Sequence, residues 1–229
     1  MSRYDEFMSP SPRIAFFGGS FDPPHLGHLA VARAARAALG LDHVLFAPVG
    51  TQPLKPDGAT ASFADRLEMT RLAIGGDSAF DISLLDAPHP TGEPNYTLDT
   101  LHALREHLPG AELFLLLGAD SFAQLRNWRA AGEIPFLASL VVASRPGQKM
   151  DSLAELLPPG ITLIPGEMGA ELCTYSLSNA AGKTAALYLL PGLDVPISAS
   201  QIRAQTLVGA PSPLPEAVAE YIHSRGLYQ

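Results

Sequence analysis

The 229-residue chain reads as a doubly wound α/β domain built on a mostly parallel sheet, and three observations lead there. Seven apolar runs of strand length recur, at 14–17, 44–49, 80–85, 113–117, 140–143, 161–164 and 187–190. They are continuous rather than alternating, as strands buried on both faces are. Stretches of helical period lie between them, so the order βαβα implies parallel neighbours joined by right-handed crossovers. The composition, 47% hydrophobic and 17% charged, belongs to a globular chain, and the length suffices for one domain, 1–229, with a substantial core.

Residues 1–12 precede the first run and read as a flexible tail. A helix rich in Ala, Leu and Arg follows at 26–39 and stops at Gly40, the residue best suited to a left-handed cap. Ser62 with Asp65 forms a capping-box pattern ahead of Leu67, Met69 and Ile74. Thr97 opens a third helix through Leu98, Leu101 and Leu104, and Asp120 a fourth through Phe122 and Leu125. Near the end, Pro215 and Glu216 start a helix with Val218, Tyr221 and Ile222 on one side and Gly226 at its close, a C-terminal helical cap. Pro and Gly cluster at 52–58, 88–94, 145–147 and 158–160, which makes those loops candidate site walls at the carboxyl ends of strands. The Gly/Ala/Ser-rich segment 166–183 shows no clear period and reads as an insertion or mobile loop.

Charge and cysteine use narrow the function. Fifteen Lys+Arg against 23 Asp+Glu give a net charge of −8, which disfavours a nucleic-acid or anionic-membrane coat, so no nucleic-acid or membrane partner is expected. Cys173 is the single cysteine, so a disulfide framework or zinc ribbon is excluded and a reducing compartment fits. No apolar run approaches ~18 residues, and Asp5 and Glu6 stand where a signal peptide carries basic and apolar residues; a soluble, cytoplasmic protein is expected. Oligomeric state is not written in these features.

The densest chemistry lies at Phe17-Gly18-Gly19-Ser20-Phe21-Asp22-Pro23-Pro24-His25-Leu26-Gly27-His28-Leu29, between the first strand and the first helix. Gly18 and Gly19 lack a Cβ, so the chain can turn sharply and a phosphate can approach the backbone. The helix start points N–H groups and the positive end of its dipole at that turn. On a helix His25 and His28, three apart, project from one face about 60° apart and converge on the same anion. The same residues also fit an ordinary β–α turn with solvated histidines, or a His-x-x-His metal pair, although no third ligand pattern accompanies it. Neither G-x-G-x-x-G nor G-x-x-x-x-G-K-[ST] occurs, so an ordinary dehydrogenase or P-loop ATPase is not supported. Ser198-Ala199-Ser200-Gln201-Ile202-Arg203 supplies an N-cap, a second helix start, and Ser200 and Arg203 on one helical face.

Gly-Gly-Ser-Phe-Asp-Pro-Pro-His-Leu-Gly-His resembles the signature of the HxGH nucleotidylyltransferase superfamily, and Ile197 to Arg203 resembles its I-S-x-[ST]-x-x-R segment. From Ile14 to Tyr228 the chain is most similar to the nicotinate-nucleotide adenylyltransferase family. Pro94-Asn95-Tyr96-Thr97 resembles the P-x-Y-T segment that meets the nicotinate carboxylate, and Gly118-Ala119-Asp120 with Trp128 resembles G-x-D-x(7)-W, whose Trp stacks on the pyridine ring. Pantetheine-phosphate adenylyltransferases share the outer motifs but are shorter. The resemblance implies a Rossmann-like fold and adenylyl transfer from ATP to nicotinate mononucleotide, giving nicotinate adenine dinucleotide and pyrophosphate in NAD biosynthesis. ATP and nicotinate mononucleotide are the implied partners, with Mg²⁺ carried on the ATP phosphates and no protein metal site.

Residue by residue, the resemblance implies catalysis by His25, His28 and Arg203. It implies ATP binding by Gly18, Gly19, Ser20, Phe21, His28, Gly118, Asp120, Arg145, Ile197, Ser198, Ser200 and Arg203, and mononucleotide binding by Ser20, Lys55, Tyr96, Thr97, Trp128 and Arg129. Asp22 and Asp120 read as turn and ribose-contact residues. Two departures stand out: Gln52-Pro53-Leu54-Lys55 has Leu54 where many members carry a histidine, and Arg129 follows Trp128 where some relatives carry a tyrosine. Arg129 either binds the carboxylate or faces water; Trp128 and Arg145 can equally be a packed helix flank and a surface loop arginine, and Thr97 an N-cap. A different acceptor, nicotinamide mononucleotide or pantetheine phosphate, or a non-catalytic nucleotide sensor on the same fold, are the alternatives.

Overall fold

The computed structural model describes residues 11–54, 58–144, 153–193, 198–205 and 213–229. In chain order these form β1 (Arg13–Gly19), α1 (Leu26–Leu39), β2 (His43–Pro48), α2 (Phe63–Ile74), β3 (Phe80–Ile82), α3 (Thr97–His107), β4 (Glu112–Gly118), α4 (Ala119–Gln124), β5 (Ser139–Ala143), α5 (Leu153–Leu156), β6 (Ile161–Met168), β7 (Cys173–Asn179), β8 (Thr184–Leu190), α6 (Ala199–Gln205) and α7 (Glu216–Arg225), with 3-10 turns at Leu125–Asn127 and Ile134–Phe136. The eight strands make one sheet in the order β3-β2-β1-β4-β5-β8-β7-β6. All neighbours from β3 to β8 run parallel, and β8, β7 and β6 pair antiparallel. The doubly wound expectation holds for six strands, and the sheet ends in an antiparallel ribbon.

Alternation along the central strands sorts side chains into two layers. Phe17, Phe114 and Leu116 join Leu29, Ala32, Met69, Val218 and Ile222 under α1, α2 and α7. Phe16, Leu115 and Leu117 join Leu101, Leu104, Phe122 and Leu125 under α3 and α4. Both faces are covered, which is why the runs read as continuous.

Local chemistry sets the helix ends. Gly40 closes α1 in the left-handed region, φ +58°, with its N–H bonded to the Arg36 carbonyl. Ser62 caps α2: its Oγ accepts from the Asp65 N–H at 3.1 Å and donates to Asp65 Oδ2 at 2.5 Å. The other oxygen of Asp65 accepts from the Tyr221 hydroxyl at 3.0 Å and faces Arg225 at 3.5 Å, so α2 and α7 are joined through one carboxylate. These contacts hold Asp65 below the usual carboxylate range, the Ser62 hydrogen bond most of all.

The sequence reading needs correction at three places. The 166–183 segment is no loop: the end of β6 and all of β7 lie in it, paired from Ile161–Asn179 to Met168–Cys173 with a register shift after Pro165. Cys173, Tyr175 and Leu177 alternate with Thr174, Ser176 and Ser178, the period-2 pattern of a half-covered strand, and the apolar three pack on the α3–α4 side of the core. The run 80–85 yields strand only over Phe80–Ile82, because the Ser83 hydroxyl accepts the Leu85 N–H at 3.3 Å and bends the chain. Pro12, placed in the tail, is already tied to the sheet, its carbonyl accepting from the Glu112 N–H at 2.9 Å. Among the described residues no helix is long and apolar enough to cross a membrane.

Candidate active site

Strand order reverses about β1: β2 and β3 lie on one side, β4 and β5 on the other. In open α/β sheets the crevice outside the carboxyl ends of the strands at such a switch point is where ligands bind. β1 pairs with β4 from Arg13–Glu112 to Phe16–Leu115, while its last residues, Gly18 and Gly19, run beside Ala47 and Pro48 of β2. The crevice thus opens between the Gly18-Gly19 end of β1 and the Gly118 end of β4.

The glycines are there for space. Neither takes a positive φ; a Cβ on Gly18 would lie 3.1 Å from the Phe16 ring and one on Gly19 3.3 Å from the Phe21 ring. The left-handed backbone of this turn falls on Phe21, φ +46°. The Phe21 ring is buried, edge-on to Phe17 at 5.6 Å and 4.9 Å from the His28 ring. It supports His28 from behind and offers a ligand only backbone.

His25 stands ahead of the helix instead of on it: it is the N-cap of α1, with extended backbone. Its N–H donates to His28 Nδ1 at 3.1 Å, and the two rings stack 3.7 Å apart. Because Nδ1 of His28 accepts, the neutral ring carries its proton on Nε2. Burial lowers His25 from an ordinary 6.5 to about 4, and burial together with the charge of His25 holds His28 well below 6.5. Both are neutral at pH 7, each able to give one N–H. Among the described residues the buried His25 Nδ1 has no hydrogen-bond partner. The helix start contributes less than expected: the N–H groups of Leu26, His28 and Leu29 bond to the Pro213 and His25 carbonyls.

Asp22 lies in the bend between β1 and α1, as a turn residue does, and its side chain is tied to other parts of the chain. It is 3% exposed, and its carboxylate accepts from the Thr60 N–H at 2.6 Å, the Ala61 N–H at 3.1 Å and the Tyr228 hydroxyl at 2.6 Å. Arg203 reaches the same residue across 181 positions, donating to the Asp22 carbonyl at 2.6 Å and standing 3.7 Å from its carboxylate. Ser200 lies 3.4 Å from the same guanidinium, so these two residues do share a face of α6. Ser198 caps that helix, its Oγ accepting the Gln201 N–H at 3.2 Å and donating to the Gln201 amide oxygen at 3.0 Å. The Ser20 carbonyl accepts from the buried Arg66 at 2.7 Å, which fixes the loop between β1 and α1.

On the β4 side, Tyr96 is the N-cap of α3 and Thr97 its first helical residue, so Thr97 is not the cap. Arg129 stacks over the Tyr96 ring at 4.7 Å and pairs with Asp99 at 3.1 Å. The guanidinium is thus held at the Tyr96–Thr97 turn, with its side chain 54% exposed. Trp128 ends a 3-10 turn, half-buried against the core. Gly118 precedes α4, and Asp120 is exposed in its first turn. Lys55, Arg145 and Ile197 lie outside the described residues. Among the described residues no three His, Cys, Asp or Glu gather as a metal site.

Sequence reasoning missed the residues that join these loops. Asn95 bridges two site walls, accepting from the Thr51 N–H and donating to the Ala87 carbonyl, both at 2.9 Å. Asp86, raised above the usual carboxylate range chiefly by burial, accepts from the Thr100 hydroxyl behind Gly18. Asn95, like Arg203 and Asp22, lay in a segment already singled out but was given no role there; nothing local in the sequence marks Asp86.

A glycine-ended strand, two stacked histidines at a helix start and an arginine delivered from α6 to one crevice define a nucleotidyltransferase: the chain belongs to the cytidylyltransferase-like family, whose model matches residues 16–205. Within that class it belongs with the nicotinate-nucleotide adenylyltransferases. It is 38% identical over 220 residues to the probable nicotinate-nucleotide adenylyltransferase of Gloeobacter violaceus, covering 94% of this chain and 96% of the relative. To that of a Roseiflexus species it is 39% identical over 227 residues, 97% of this chain and 100% of the relative. Its fold matches that of Plasmodium falciparum nicotinic acid mononucleotide adenylyltransferase complexed with NaAD, with TM-score 0.68 at 18% identity over 95% of this chain and 97% of that one.

Proposed function

We infer that the protein joins ATP to nicotinate mononucleotide, forming nicotinate adenine dinucleotide and releasing pyrophosphate, and that the crevice between Gly18–His28 and Tyr96–Arg129 is where it does so. The observation that carries this reading is the pair of stacked histidines after β1, with Arg203 bonded to the same loop at Asp22, at the switch point whose other side leads to Arg129 over the Tyr96 ring.

The reaction asks little of the protein beyond placement and charge. A phosphate oxygen of the mononucleotide attacks the α-phosphorus of ATP; the new P–O bond forms as the bond to the bridging oxygen of the β-phosphate breaks, and pyrophosphate leaves with that electron pair. The nucleophile is already anionic, so no general base is required. His28 aims Nε2–H at the charge that develops on the phosphoryl oxygens, and its neutrality prevents it from losing strength with pH near 7. Arg203 supplies a planar fork for phosphate oxygens from the α6 side. A Mg²⁺ ion carried on the triphosphate would screen its charge, beside the N–H donors of His28 and Arg203. Trp128 gives the pyridine ring a stacking surface, and the Arg129 guanidinium, the Thr97 hydroxyl and backbone N–H groups favour a carboxylate over an amide.

A coupled pyrophosphate-release assay with ATP and the acid and amide mononucleotides in parallel tests the reading. Release that requires both substrates, with kcat/KM for the acid tenfold to a hundredfold above the amide, is expected. Release with pantetheine phosphate but with neither mononucleotide overturns it.

A further inference from the structure

Behind the histidine loop lies a buried polar cluster that the transfer mechanism does not use directly. Its centre is Asp22, three residues before His25. Four separate parts of the chain converge on it: its own loop, the Thr60-Ala61 entry to α2, Arg203 of α6, and Tyr228, two residues after the Gly226 that closes α7. The Asp22–Tyr228 bond, 2.6 Å between residues 206 apart, carries the longest reach of any of these.

We propose that Tyr228 is a positioning residue for the phosphate site, acting through Asp22 to set where Arg203 and the histidine loop stand. The argument is one of charge allocation in a site 3% exposed. Asp22 Oδ1 accepts from the Tyr228 hydroxyl and the Ala61 N–H, and Oδ2 from the Thr60 N–H. Those three neutral donors satisfy the carboxylate, and Arg203 Nη1 is left 3.7 Å from Oδ2, bonded instead to the Asp22 main-chain carbonyl. Without the phenol, a buried carboxylate lacks a strong donor, and the Asp22 loop loses its tie to the segment beyond α7. Arg203 hangs on that loop, its Nη1 bonded to the Asp22 carbonyl at 2.6 Å and 3.7 Å from Oδ2, whereas Arg66, 2% exposed, bonds to the Ser20 and Ala61 carbonyls. A shift of Asp22 therefore shifts Arg203. Tyr228 stays a donor throughout, because burial and the neighbouring carboxylate push its phenol upward from the ordinary range.

The proposal rests on the transferase reading only for what Arg203 does once placed. Tyr228→Phe tests it, because the ring and its packing remain and only the hydroxyl goes. Tyr221→Phe is the matched control: the same change in α7, where the hydroxyl instead meets Asp65 on α2 at 3.0 Å. Three readouts are taken on each full-length variant: melting temperature, kcat and KM with ATP and nicotinate mononucleotide, and MgATP affinity by calorimetry. Tyr228→Phe is expected to lower kcat at least tenfold and to weaken MgATP severalfold, with a melting temperature close to that of Tyr221→Phe, whose kcat and MgATP affinity stay within twofold of wild type. Adding Arg203→Lys to Tyr228→Phe is expected to cost less than the product of the two single losses, since both act on one group. Tyr228→Phe within twofold of wild type in kcat and MgATP affinity, or equal losses in the two tyrosine variants, overturns it. A wild type that turns over neither mononucleotide refutes the transferase reading instead, and the MgATP affinities of the three proteins then decide the positioning by the same criterion.

Discussion

His25 and His28 are two imidazoles that burial keeps uncharged, and this has a consequence for the free protein. An unfolded histidine takes up a proton below 6.5, whereas His25 in the fold stays neutral down to about 4. Between those values the unfolded state binds more protons, so stability falls as pH drops through the window, by on the order of 3 kcal/mol for a shift of this size. Asp86, raised by burial, protonates first in the folded state and works in the opposite direction. The informative measurement is therefore a comparison: melting temperature against pH from 7 to 4 is expected to fall less steeply in His25→Gln than in wild type, and equal slopes would show that His25 is not a buried neutral ring. At the other side of the crevice, Trp128→Ala is expected to lower kcat/KM for the acid and amide mononucleotides alike, since stacking does not read the substituent. Arg129→Ala is expected to lower it about tenfold for the acid and less than twofold for the amide. A uniform loss with Arg129→Ala would mean that the guanidinium only braces Tyr96 and Asp99.

At the scale of elements, each helix end near the site is set by a few residues, and those ends were legible where the cue is local. Gly40 after an Ala-rich run and Ser62 three before Asp65 announced α1 and α2 correctly. A Cβ on Gly40 has open space, with only the Arg13 guanidinium as near as 4.0 Å, so Gly40→Ala is penalised by its φ of +58° alone. A loss of about 1 kcal/mol in urea unfolding, with kcat unchanged, is expected. No loss would contradict the left-handed cap. By contrast β7 escaped notice because the sequence was searched for continuous apolar runs, and an outer strand whose polar side chains alternate with Cys173, Tyr175 and Leu177 carries a different signal. β6 was placed at its start only, since from residue 165 onward its side chains are exposed and hydrophobic pattern no longer constrains them. His25 was assigned to the helix because spacing alone cannot separate a cap from a first turn; backbone angles do.

The whole molecule brings distant segments to one crevice, and this is the scale at which sequence alone is weakest. The Gly18–His28 segment was readable since strand, turn, donors and helix start are contiguous. The support beneath it was not: Asp22 meets Thr60, Arg203 and Tyr228, and no local period relates positions 38, 181 and 206 residues apart. The support lies at the loop that leaves β1, where strand order reverses, and with a net charge of −8 a triphosphate would have to be held by local donors. The account stands on His28, whose Nδ1 is occupied, so that the neutral ring carries its proton on Nε2. The most direct test is kcat with ATP and nicotinate mononucleotide, set beside MgATP affinity, in His28→Ala. Loss of a donor directed at transition-state charge is worth ~2.7 to 4 kcal/mol, so a fall in kcat of a hundredfold or more with MgATP affinity changed only severalfold is the predicted result. A kcat within twofold of wild type would contradict it.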